Sequence, residues 1–116
     1  MENSRKQNLR ERSRRLLLDV FRIAGMFPKH AANGLSSRMR NSCVGILANI
    51  IRGCYKDMGD ETARFFSLSI GSLNELEYSI QMAHRLGVLP DADYLYLIGE
   101  TDAIEHLLAF FMRQRN

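Results

Sequence analysis

The side chains that could do chemistry in this 116-residue chain are three histidines, two cysteines, two neighbouring glutamates and a long run of arginines. His30 falls in a connector, and His84 and His106 fall on separate predicted helices, so they share no ligand face. Cys43 and Cys54 lie on one predicted helix, roughly 16 Å apart at a rise of about 1.5 Å per residue. They cannot bridge within that helix and read as small buried hydrophobes. No Cys/His spacing matches a zinc site. Glu75 and Glu77 differ by about 200° around a helix, so they are no carboxylate pair. No glycine-rich phosphate loop follows a strand, because no segment reads as a strand. A metal-dependent hydrolase or nuclease would need a carboxylate cluster, and none is apparent. The chain is therefore expected not to be an enzyme, and to use no cofactor and no metal.

The basic residues carry the sharper signal. Arg5, Lys6, Arg10, Arg12, Arg14, Arg15, Arg22, Lys29, Arg38 and Arg40 are the candidate nucleic-acid-binding set. Residues 1–58 hold twelve Lys/Arg against four Asp/Glu, a balance of +8, and residues 59–116 hold four against nine, a balance of −5. Such asymmetry fits a nucleic-acid partner, complementary contact between copies of the chain, or helices that neutralise each other within one bundle. A basic surface of this kind holds phosphates without reading bases, and its affinity falls steeply with salt. No aromatic stacking platform accompanies the run. Structured RNA or an RNA–DNA hybrid is thus a better match than a defined duplex operator. The bland alternative is a solvated face that contributes only solubility.

These residues must be positioned by helices. Hydrophobic residues make up 46% and charged residues 25%, with two prolines and eight glycines, which fits one soluble helical domain. Residues 1–15 are polar and basic, and form either a disordered arm or a helical extension. The bundle proper is expected over 16–116. Leu16, Val20, Ile23 and Phe27 mark a first helix, stopped at Phe27-Pro28. Asn33-Gly34 is turn chemistry and Ser36 a candidate cap. A second helix runs from about Leu35 to Tyr55 along Leu35, Met39, Cys43, Ile46, Ile50 and Cys54. Gly45, on its other side, costs about 1 kcal/mol against alanine, so close approach of another helix is expected there. After the polar link Asp57–Asp60, with Asp60 as cap, a third helix spans about Glu61 to Leu86, ended by Gly87 and Pro90. Asp91 is the expected cap of a fourth, about Ala92 to Arg113, and Arg113 and Arg115 suit its C-terminal end.

Short links between four helices give an all-α, antiparallel up-down-up-down bundle. The third and fourth helices each show a second semi-apolar face: Leu68, Ser72, Glu75, Ser79, Met82 and Leu86 on one, Tyr96, Ala103, Leu107 and Phe110 on the other. Surplus faces of that size mark a partner, so a homo-oligomer is expected. Asn49 and Glu75 stand out as half-buried polar groups. Each reads as a pocket residue or as a hydrogen bond between helices or subunits that fixes register.

Several short motifs fall in order along this frame: Phe27-Pro28, Gly34-Leu35, Ala48-Asn49-Ile50 with Gly53, Phe65, Gly71-Ser72-Leu73 with Glu75-Leu76-Glu77, then Leu86-Gly87 and Leu89. In this order and spacing, over about residues 16–90, the chain resembles the four-helix-bundle family of 23S rRNA intervening-sequence proteins. The resemblance implies an antiparallel four-helix bundle that assembles into a ring, typically a pentamer, with no established enzymatic activity. It also implies kinship with the accessory (variability determinant) proteins of diversity-generating retroelements, which bind nucleic acid and associate with a reverse transcriptase. It marks Asn49, Arg52, Gly53, Gly71, Ser72 and Glu75 as the structural motif. Arg52 departs from the family's usual Glu before the motif glycine, and Glu75 or a phosphate is its expected partner. The partners implied are further copies of the chain, RNA and a reverse transcriptase, with no membrane. No apolar run is long enough to span one and no signal peptide is apparent, so the cytoplasm is the expected location.

Overall fold

The computed structural model describes residues 4–30, 34–55 and 60–113, and among them there are four α-helices and no strand. These are α1 (Ser4–Ala24), α2 (Leu35–Cys54), α3 (Asp60–Arg85) and α4 (Asp91–Arg113). The readings placed on residues 1–3, Asn33, 57–59 and Arg115 lie outside the described residues.

α1 begins well before Leu16. Ser4–Arg15 are its first turns, and Leu9 and Ser13 are buried in line with Leu16, Val20 and Ile23. The apolar face therefore continues under the arginines at the same helical period. The α1–α2 corner is held by Ser36, whose hydroxyl donates to the Ala24 carbonyl at 3.0 Å. Ser36 is thus a tie between helices and not the cap of α2. That position is Gly34, in the left-handed region at φ 78° with no side-chain cap.

α3 opens on Asp60 and Glu61, where the helix dipole favours acid. It closes in a Schellman arrangement. Gly87 takes φ 78°, its N–H donates to the His84 carbonyl at 3.0 Å, and the Val88 N–H donates to the Ala83 carbonyl at 3.1 Å. Asp91 lies inside α4 and does not cap it. Its carboxylate meets His84 Nε2 at 2.7 Å, and the His84 ring stacks on Tyr94 at 4.0 Å between centroids. The α3–α4 corner is therefore a packed cluster.

Each helix runs antiparallel to the next and α4 returns beside α1, giving a rod of 47 × 21 × 19 Å. Arg40 over Phe21, Phe66 against Phe111, and Arg5 over Phe110 mark successive contacts around the rod. The core is one continuous column that includes Leu9, Leu16, Met39, Ile50, Phe66, Leu76, Leu97 and Ile104, all 0–1% exposed. At about 25 cal/mol per Å² of apolar surface, such a column is the main term favouring the fold.

α2 and α3 form the tightest pair. A Cβ on Gly45 would lie 2.7 Å from Ser72 Oγ, and one on Gly53 would lie 2.5 Å from the Phe66 ring. Close approach of α3 is therefore the reason for Gly45. Two hydroxyls cross the same interface: Ser69 donates to the Ile46 carbonyl at 3.0 Å and Thr62 to the Gly53 carbonyl at 3.4 Å. These bonds satisfy buried hydroxyls that a sheath of alanines would not carry.

Candidate nucleic-acid interface

α1 holds seven of the ten candidate basic residues against two acids, Glu11 and Asp19. Its buried stripe fixes which way they point. Because Leu9, Ser13, Leu16, Val20 and Ile23 face inward, Arg14, Arg15 and Arg22 stand on the outer surface and are exposed. Arg5 is exposed too, but its guanidinium lies 4.3 Å above the Phe110 ring and ties α1 to α4. Lys6, Arg10 and Arg12 are half-buried along the flanks.

Arg14 pairs with Glu11 at 2.6 Å and Arg22 reaches Asp19 at 3.5 Å, both one helical turn away and open to solvent. Pairs of this kind contribute less than about 1 kcal/mol, so both arginines can exchange a carboxylate for a phosphate. Asp19 is shared. Its other oxygen accepts a hydrogen bond of 2.5 Å from Tyr96 of α4. That bond to Asp19, then burial, pushes the Tyr96 phenol up to about 12.

The remaining three basic residues do not join one patch. Lys29 is exposed beyond the end of α1. Arg40 is half-buried with its guanidinium 5.8 Å from the Phe21 ring, so it extends the α1 surface onto α2. Arg38 faces away, into a cleft between α2 and α3 shared with Asn41, Ser42, Glu75 and Tyr78. The ten candidates thus divide into a main face on α1 with Arg40 beside it, and a separate position at Arg38.

The motif residues also separate. Asn49 is half-buried, and its amide donates to the Gly45 carbonyl of its own helix at 3.0 Å. It therefore does not link helices within the chain. Arg52 reaches the Asn49 side-chain oxygen at 3.5 Å and not Glu75. Antiparallel packing explains the miss: Gly53 lies opposite Phe66 and Gly45 opposite Ser72, so Glu75 faces the Arg38 end of α2. Glu75 is exposed rather than half-buried. Gly53 and Ser72 serve the α2–α3 contact, whereas Gly71 points to open space.

The second face expected on α4 is largely taken up within the chain. Ala103, Leu107 and Phe110 are half-buried, and Phe110 and Tyr96 contact Arg5 and Asp19 of α1. On α3, Ser79 is buried and Met82 half-buried, while Leu68 and Leu86 stay about half exposed. Large apolar exposure lies elsewhere as well, at Leu18, Phe21, Val44 and Leu95. The helical pattern does not show this, because a wheel gives a direction but not which neighbour covers it.

Cys43 is buried, which pushes its thiol up to about 12. Among the described residues no three His, Cys, Asp or Glu side chains gather as a metal site, and no helix is long and apolar enough to cross a membrane.

The profile of the family described as "23S rRNA-intervening sequence protein" matches residues 5–109, from the first turns of α1 into the last turns of α4. No curated protein matches the chain.

Proposed function

Since the chain belongs to the family of 23S rRNA-intervening sequence proteins, we propose that it is a non-catalytic, homo-oligomeric scaffold that binds nucleic acid, RNA foremost, through the outer face of α1. The observation that carries this reading is the solvent-facing line Arg14, Arg15 and Arg22, with only long or solvent-open pairs to oppose it. In a closed ring every copy repeats the line, and a modest patch becomes a band. The family's name supports an rRNA context. The exposed Leu18, Phe21 and Val44 support association between copies. By the family resemblance of the motifs, a reverse transcriptase is the protein partner and its template RNA the nucleic acid.

The test is binding of a labelled structured RNA across a salt series, with mass in solution measured in the same buffers. The expected result is an oligomer whose affinity falls steeply with salt. Neutralising Arg14, Arg15 and Arg22 to Gln should weaken binding and lower the salt slope by about one for each phosphate no longer neutralised. An intact oligomer with no RNA affinity at low salt would favour the second reading, a protein-interaction ring. That reading has its own support in Leu18 and Phe21, apolar side chains set among the arginines of the same helix.

A further inference from the structure

Toward the start of α2 the tight α2–α3 contact opens into a surface cleft of about 600 Å³. Arg38 and Ser42 of α2 line it, with Ser72, Glu75, Tyr78 and Ser79 of α3 opposite. On each helix these positions recur at three- and four-residue spacing, so each set forms one face. This wall is mostly apolar in area, and the polar side chains set in it are unpartnered. None of its side chains makes a hydrogen bond or ion pair among the described residues. Ser42 and Ser79 are only 7% and 4% exposed. Serines so deep in a helix ordinarily return a bond to their own backbone, yet these two do not, and their hydroxyls stay available to whatever enters.

The cleft brings together three chemistries. Arg38 is a forked donor for an anionic oxygen. Glu75 is an acceptor with no cation paired to it. Tyr78, an aromatic ring, lines the cleft and is 61% exposed. A bare anion would meet Glu75 and a bare cation would meet Arg38, so the site fits a ligand that carries an anion, hydroxyl donors and a flat ring. We propose that the cleft holds one nucleotide of single-stranded RNA. Its phosphate lies on Arg38, its 2′-hydroxyl donates to Glu75, and its base stacks on Tyr78. The volume is within the usual range for a small-ligand site, about 300–1,000 Å³. Arg40, beside Phe21 of α1, continues the positive charge from the α1 face onto α2. The proposal rests on the nucleic-acid reading and adds to it a site with a preference for RNA over DNA.

The experiment compares labelled single-stranded RNA, single-stranded DNA of the same sequence, and duplex RNA at one salt concentration, using the full chain, and then repeats the RNA titration across a salt series. The variants are Tyr78→Ala, Glu75→Ala, and the combined Arg14→Gln, Arg15→Gln, Arg22→Gln. All replace exposed side chains, so each is expected to fold, and melting and mass in solution check this. The expected results are tighter binding of single-stranded RNA than of the DNA, a loss of about tenfold with Tyr78→Ala, and loss of the RNA preference with Glu75→Ala, which removes the acceptor. The salt slope should hold in both and fall only in the α1 variant. Nucleic-acid binding untouched by Tyr78→Ala and Glu75→Ala overturns the nucleotide site and leaves the α1 reading standing. No binding by the unaltered protein overturns both. A change of oligomeric mass in place of RNA affinity gives the cleft to a contact between copies, and also overturns the proposal.

Discussion

Gly45 of α2 and Ser72 of α3 face each other so closely that a Cβ at position 45 would sit 2.7 Å from the Ser72 hydroxyl oxygen. The Gly53 contact with Phe66 is as short, at 2.5 Å, but the obstacle differs. Ser72 Oγ ends a short side chain that can rotate. Phe66 is fully buried, with its ring against Phe111 at 5.7 Å between centroids. Gly53→Ala is therefore expected to lose about 1–3 kcal/mol by overpacking. Gly45→Ala should be close to neutral, because a gain of about 1 kcal/mol in helix propensity offsets the displaced hydroxyl. Urea melts of both variants check this, and equal losses at the two glycines would refute the distinction.

Ser13 is buried on the inner face of α1, and its hydroxyl has no hydrogen-bond partner. An unmade buried hydrogen bond costs about 1–3 kcal/mol. Ser13→Ala removes that cost and is the better helix former. The expected outcome is a gain of about 1 kcal/mol in unfolding free energy. A loss of stability would show that the hydroxyl is in fact satisfied in solution.

The Tyr96–Asp19 hydrogen bond joins the two ends of the helix order, α4 and α1. The Tyr96 phenol is raised from 10.0 to about 12 by that bond first and by burial next. A group raised on folding contributes stability that is whole below its unfolded value and lost as pH climbs to its folded value. This contribution is thus present below pH 10 and disappears toward pH 12. Asp19→Asn should bring one tyrosine back toward ordinary titration in an absorbance titration. Superimposable titration curves for the variant and the parent would contradict the assignment.

Glu77 sits half-buried on α3, and its carboxyl is raised first by burial, then by the nearby charges of Glu105 and Asp102 on α4. Its ionised form is therefore disfavoured in the fold. By the same sign rule its contribution is whole at low pH and lost as pH rises through the raised value. Glu77→Gln should raise the melting temperature at neutral pH, and the gain should vanish in acid. A gain independent of pH would point to packing instead of charge.

How much of this is legible in the sequence depends on what each residue's neighbours must supply. The stripes Leu16–Val20–Ile23, Leu35–Met39–Ile46–Ile50 and Leu97–Ile104–Leu108 repeat at the helical period, and every one of these residues is buried. Leu9 and Ser13 obey the same period. They are hidden because Leu9 stands alone among charges and Ser13 is polar, so no apolar run announces the first turns of α1. Gly45 can be read as a close approach because a mid-helix glycine needs a reason. Its partner cannot, because the α2–α3 register is set by packing. The same gap explains Arg52, matched to Glu75 by charge but placed beside Asn49 by register. Tyr78 gives no signal of its own, because it lies outside the basic run in sequence and shares a cleft with Arg38 only through the packing of two helices.

The anchoring of the first turns of α1 has a thermodynamic consequence. With Leu9 in the core and Arg5 held over Phe110, the basic segment is ordered before any ligand arrives. A disordered arm would give up conformational entropy on binding, and its heat-capacity change would report the folding that accompanies contact. Here the arginines start on a rigid rod with their spacing set, and that ordering cost falls on folding instead of on binding. Calorimetry of RNA binding should then show the small heat-capacity change of surfaces meeting, with no coil-to-helix signal from Ser4–Arg15.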